Sequence, residues 1–187
     1  MQWTHKSRLL MLAGMVLLLT IFADQATKSI VGKKIASGEH LPVSDNLVFT
    51  HVVNGGLFMN AGEDIPKDRR LWVLSLISAA TIGWFGYRSR NLFMTGKIAA
   101  VGTALVIGGG SANLYDRLID GHVTDLVYLE FGAYSSGIFN LADVALTLGA
   151  FLVIFAKAKT MYRTSGIQEP IFNCSPDAPI PASMEKN

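Results

Sequence analysis

Phe139-Asn-Leu-Ala-Asp-Val-Ala-Leu-Thr-Leu-Gly-Ala-Phe-Leu-Val-Ile-Phe-Ala156 is the stretch on which the fold turns. Asn140 and Asp143, both at its start, are the interruptions in an otherwise apolar run of 18 residues. At about 1.5 Å rise per residue, such a run approaches the thickness of a bilayer core, which takes about 20 mostly apolar residues. An ionisable side chain at that depth is expensive, a few kcal/mol at the bilayer centre on insertion scales. Asp143 therefore needs a partner or a task.

Working outward, two further runs have spanning length. Leu71 to Tyr87 and Ile98 to Tyr115 carry no charge over 17 and 18 residues. Leu9 to Ala23, after Lys6 and Arg8, is more ambiguous. It also fits a secretory signal peptide with Ala23 as the cleavage residue. Ile21 is a poor small residue for the −3 position, however, and the apolar pattern resumes at Ala26, Ile30 and Val31. An uncleaved helix is the expectation.

Composition agrees. The 187 residues are 50% hydrophobic and 16% charged, with a mean hydropathy of +0.36. A soluble domain has about 25% charged residues. The lone Cys174 excludes a disulfide framework, and no CxxC or HExxH pattern occurs. His5, His40, His51 and His122 are scattered, so no metal site is expected. The net charge is only +2, and no nucleic-acid partner is expected.

The expected fold is an all-α membrane protein of four transmembrane helices with a small extracytoplasmic β element. The spans fall at about 9–31, 71–87, 98–116 and 139–156, and the β region at 32–70. Within that region Asn46 to Val53 reads as a strand, followed by the turn signal Asn54-Gly55-Gly56. Residues 118–138 read as a loop. Residues 160–187, rich in proline and polar side chains, read as a disordered cytoplasmic tail. The short loop from Arg88 to Lys97 is basic and free of acids. That places it, and both termini, in the cytoplasm.

Polar residues gather at the opposite boundary. Asp24 and Lys28 end the first span, Asn113, Asp116 and Arg117 the third, and Asn140 and Asp143 open the fourth, with Asp125 in the preceding loop. Asp24–Lys28 and Asn113–Arg117 are spaced i, i+4, which sets each pair on one helix face. Asp24 with Lys28 also fits a plain structural ion pair. Asp116 with Arg117 fits a helix-end pair. Gly108-Gly109-Gly110-Ser111-Ala112 fits close packing of membrane helices.

Together these residues resemble the lipoprotein signal peptidases, also called the signal peptidase II family. The resemblance rests on Asp24-Gln-Ala-Thr-Lys28, Gly109-Gly-Ser-Ala-Asn113-Leu-Tyr-Asp116-Arg117, Gly121-His-Val-Thr-Asp125 and Phe139-Asn140-Leu-Ala142-Asp143. It covers about Leu9 to Ala156. It implies an intramembrane aspartyl endopeptidase of the bacterial inner membrane, with its active site near the extracytoplasmic face. The substrate it implies is a diacylglyceryl-modified prolipoprotein, cut just before the lipidated cysteine. By motif, Asp125 and Asp143 are the catalytic pair. Asp24, Lys28, Asn54, Gly56, Gly109, Asn113, Asp116, Arg117, Asn140 and Ala142 bind substrate or shape the site. Residues 1–159 then form the peptidase domain. Membrane lipids surround it, no cofactor is needed, and a monomer is expected.

Three departures from the family pattern suggest a modified pocket. Asn54-Gly55-Gly56-Leu57-Phe58 is one residue short of the usual motif, Leu126 replaces an aromatic, and Val144 replaces a small polar residue. Two other classes compete. A non-catalytic binding or assembly protein on the same scaffold keeps the two aspartates without cutting. A proton-coupled transporter needs polar groups through the membrane depth, which spans two and three lack.

Overall fold

The computed structural model describes residues 4–56 and 65–164. Eight elements follow in order: α1 (His5–Lys34), β1 (His40–Ser44), β2 (Leu47–Asn54), α2 (Lys67–Phe93), α3 (Lys97–Asp120), β3 (Val123–Phe131), β4 (Tyr134–Phe139) and α4 (Leu141–Thr164). Three of the helices, α1, α3 and α4, are long and apolar enough to cross a membrane by length and composition. α1 runs unbroken through Ala23. α2 has the length as well, at 27 residues, but Trp72, Ser75, Ser78, Gly83, Trp84 and Gly86 dilute its hydropathy.

α3 is the centre of the bundle and packs on α1, α2 and α4. Its packing faces are built from small residues, among them Ala99, Ala100, Gly102, Gly108, Gly109 and Ala112, all buried. Small side chains let helix backbones approach where lipid offers no hydrophobic drive to associate. Gly109 shows how close the approach is: a Cβ there would lie 2.5 Å from the Ala142 carbonyl oxygen on α4. The large apolar side chains point the other way. Leu18, Phe22, Trp72, Leu76, Phe151 and Ile154 are exposed, as expected of helices facing hydrocarbon.

The strands form one antiparallel sheet in the order β1-β2-β3-β4. The strand expected near residues 46–53 is β2. Residues 118–138 are not a loop: they hold the end of α3 and most of the β3–β4 hairpin, which turns at Gly132 with φ of +62°. Val123-Thr-Asp-Leu-Val-Tyr-Leu-Glu-Phe131 has the β-branched and aromatic content of a strand, and its pattern was masked by the polar residues around it. Phe139, expected to open the fourth span, instead ends β4 paired with Val127. Helix α4 begins two residues later and continues to Thr164, so the tail expected to be disordered from 160 starts with five helical residues. The hydroxyls of Thr160 and Thr164 bond back to the carbonyls of Ala156 and Thr160. Leu57, Phe58 and the rest of the tail lie outside the described residues.

Candidate active site

The expected site residues come together at the sheet-side end of the bundle. Asp125 lies on β3 rather than in a loop, and it is 4% exposed. Its Oδ2 accepts from Asn54 Nδ2 and its Oδ1 from Asn140 Nδ2, both at 2.8 Å. Asn54 ends β2, beside β3 in the sheet, which brings it into reach. Burial pushes the Asp125 carboxyl up to about 6; the nearby charge of Asp143 raises it further, while the hydrogen bonds from Asn54 and Asn140 and the charge of Lys28 oppose.

Asp143 sits in the first turn of α4. Asn140 precedes the helix instead of lying on it, and it is wholly buried. The two form a reciprocal cap. The Asp143 N–H donates to Asn140 Oδ1 at 3.0 Å, and the Asn140 N–H donates to Asp143 Oδ2 at 3.2 Å. The other oxygen, Oδ1, accepts from Asn113 Nδ2 of α3 at 2.9 Å. Among the described residues no hydrogen bond joins the two carboxylates directly. Asn140 connects them, and both open onto one pocket.

Behind this pair is a buried ionic cluster. Lys28 Nζ donates to Asp24 Oδ2 and Asp116 Oδ2, each at 2.6 Å, and to Asn113 Oδ1 at 3.2 Å. Asp116 is thus tied to Lys28 and not paired with its neighbour Arg117. Arg117 reaches elsewhere, to the Asn113 carbonyl at 3.2 Å and the Gly56 carbonyl at 3.0 Å. Ala142 contributes its backbone: its N–H donates to Asp24 Oδ1 at 2.9 Å. Gly109 acts through the close α3–α4 approach described above.

Gln25 was not among the expected residues. Its Nε2 donates to Asp116 Oδ1 at 2.6 Å. The signal was present, since Gln25 lies three residues before Lys28 on the same helix face.

The pocket has a volume of about 950 Å³. Asn54, Asn113, Arg117, Asp125 and Asp143 form its polar end, and Ile77, Ile82, Trp84, Phe85, Val106 and Leu146 form apolar walls. Two of the three departures from the family pattern are not part of its lining. Leu126 is 2% exposed in the core, and Val144 is on the outer face of α4, 42% exposed.

Two carboxylates on one pocket among apolar helices meet the requirement of a membrane peptidase of aspartic type. Comparison with known proteins narrows the class to one family. The model of Signal peptidase (SPase) II matches residues 16–159, and the chain belongs to that family. The lipoprotein signal peptidase of Maridesulfovibrio salexigens is 36% identical over 149 residues, 76% of this chain and 92% of the relative. That of Desulforapulum autotrophicum is 32% identical over 154 residues, 80% of this chain and 93% of the relative. In fold, the chain is similar to a bacterial membrane enzyme solved by the in meso method at 2.3 Å, with a TM-score of 0.64, 22% identity and coverage of 84% of this chain and 93% of that one.

Proposed function

We propose that this chain removes the signal peptide from diacylglyceryl-modified prolipoproteins, cutting before the lipidated cysteine, with Asp125 and Asp143 as the catalytic pair. The observation that carries the reading is the joining of these two carboxylates, through Asn140, at the polar head of an apolar-walled pocket. Such a pocket suits a peptide attached to acyl chains. Each buried methylene contributes about 0.8 kcal/mol, so the lipid supplies much of the affinity.

Two neighbouring carboxyls share one proton more readily than they both ionise. Asp125, which burial pushes up to about 6, is the readier holder. The ionised partner takes a proton from a water as that water attacks the scissile carbonyl. The protonated carboxyl donates to the carbonyl oxygen, and a proton then passes to the leaving amine. Water is consumed and no covalent intermediate forms. Arg117, fixed on two backbone carbonyls, lines the pocket with a fork suited to a substrate carbonyl or a lipid phosphate.

In this reading α2 is a fourth span, giving four helices across a bacterial inner membrane. Its 27 residues reach about 40 Å, and Trp72, Leu76 and Trp84 are exposed on it as lipid-facing residues would be. Both termini are cytoplasmic, the sheet is extracytoplasmic, and the working unit is a monomer. Reporter fusions at Asn91 and after Lys159 test the orientation, and an outside signal at Asn91 overturns it.

Purified protein given a lipidated prolipoprotein and the same precursor with a free cysteine tests the activity. Cleavage should strongly favour the lipidated form. Equal cleavage removes this substrate class, and binding without cleavage favours a non-catalytic role on the same scaffold.

A further inference from the structure

Three asparagines hold the two aspartates. An asparagine can present either end of its amide, and the two ends differ little in shape. Here the sense matters. The NH2 end stabilises a carboxylate, whereas the carbonyl end would repel it in a buried site. What fixes the sense is whatever holds the other end. Asn54 Oδ1 accepts from the Gly56 N–H at 2.9 Å, and Asn140 Oδ1 accepts from the Asp143 N–H at 3.0 Å. Both holders are backbone groups that can only donate, so both amides are committed to the carboxylates.

Among the described residues no backbone donor holds Asn113 in this way. Its Oδ1 accepts from Lys28 Nζ at 3.2 Å and from Asn140 Nδ2 at 3.2 Å. The Asn140 NH2 puts one N–H on Asp125 at 2.8 Å and shares the other between Asn113 Oδ1 and the Thr124 carbonyl at 3.4 Å, so its hold on Asn113 is weaker than that of the Lys28 ammonium. The Lys28 ammonium has three N–H groups and no acceptor, and all three are used: on Asp24, Asp116 and Asn113. Two carboxylates at 2.6 Å anchor it, and Gln25 braces both, Asp116 at 2.6 Å and Asp24 at 3.4 Å. Lys28 thus does from α1 what the backbone does at the other two asparagines.

We propose that Lys28 is a positioning residue for peptide cleavage: by holding the carbonyl end of Asn113 it commits the amide end to Asp143. The cleavage part of this statement rests on the aspartic-pair reading above; the amide part does not. Asp24, Asp116 and Gln25 serve the same end by holding the ammonium in place.

The test uses Lys28→Met, Asn113→Leu and the double variant in the full chain. Lys28→Met leaves two buried acids without their cation, so Lys28→Met with Asp116→Asn is made alongside it. With a lipidated precursor, Lys28→Met should lower kcat roughly 10- to 100-fold, as expected when a reacting group is misplaced. KM should stay within about twofold, since binding contacts are untouched. Adding Asn113→Leu should cause no further loss. The second readout needs no turnover: side-chain amide spectra of protein labelled with 15N-asparagine, in micelles. Lys28→Met should move the Asn113 amide resonance, assigned by its loss in Asn113→Leu, and leave that of Asn54 in place. Additive losses, a loss carried by KM, or an unmoved Asn113 resonance each overturn the proposal. Resonances that all move together show a structural role and overturn it too. A wild-type protein that binds the precursor without cutting it removes the peptidase reading, while the amide spectrum still decides whether Lys28 sets Asn113.

Discussion

Asp24 on α1 accepts the backbone N–H of Ala142, in the first turn of α4, at 2.9 Å across 118 residues of chain. The first N–H groups of a helix have no partner within it and are usually capped by a residue just upstream. α4 receives one cap locally, from Asn140, and one from a distant helix. Asp24 also accepts from Lys28, so one carboxylate joins the start of α4 to the ionic cluster.

Asp24→Leu should therefore be among the most destabilising changes in the chain. It strands the Ala142 N–H and leaves Lys28 with one acid fewer. Breaking a buried ion pair from one side costs about 3–5 kcal/mol. Asp24→Asn should be milder, because its carbonyl still accepts from Ala142. Thermal unfolding in micelles measures both, and the reverse ranking would contradict the distant cap.

Asp125→Asn and Asp143→Asn should each abolish cleavage of a lipidated precursor while leaving folding and precursor binding largely intact. The double variant should be hardly worse than either single one, because the pair acts as a unit. Turnover by the purified variants settles this, and substantial activity in either single variant removes the pair assignment.

Gly109→Ala should weaken the α3–α4 contact. The new Cβ would meet the Ala142 carbonyl oxygen at 2.5 Å, and that oxygen belongs to backbone, which cannot swing aside. Overpacking of this kind costs about 1–3 kcal/mol. Since Ala142 adjoins Asp143, kcat should fall together with the melting temperature. A variant with unchanged melting and rate would show that the helices have room to part.

The pH dependence of stability should carry the signature of Asp125. Its folded carboxyl lies near 6, above the ordinary value of 3.8. Between those values the folded state holds more protons than the unfolded state at this group, so the contribution of Asp125 to stability is fully present below about 4 and is lost as pH rises through about 6. Asp125→Asn cannot ionise and should lack this loss. Melting temperatures from pH 4 to 8 should show the variant gaining on the wild type as pH rises. A constant difference would mean that Asp125 titrates at its ordinary value.

Much of this site was readable in the sequence because a membrane makes polar residues conspicuous. Asp143 and Asn140 stand out in an apolar run, and the i, i+4 spacing of Asp24 and Lys28 matches the ion pair observed. What escaped were the partners that lie on other elements. Asp116 lies beside Arg117 in sequence, but the helix turns it towards Lys28, and only the three-dimensional packing of α1 on α3 reveals that choice. The β3–β4 hairpin was hidden for a related reason. Its residues lie between two spans, and its alternation is too short to compete with the polar signals around it. The departures at Leu126 and Val144 looked like changes to the pocket, yet which way a side chain faces depends on strand register and helix phase, which neighbouring motifs do not reveal.

Asn140 is the single residue between the end of β4 at Phe139 and the start of α4 at Leu141. There is no slack at this joint. The sheet runs straight into the first turn of α4, and two bonds between Asn140 and Asp143 tie that junction to the carboxylate. The same asparagine grips Asp125 on β3. The sheet and α4 therefore meet in one side chain that touches both acids, so the spacing of Asp125 and Asp143 is set at a single hinge-like residue rather than by two independent elements.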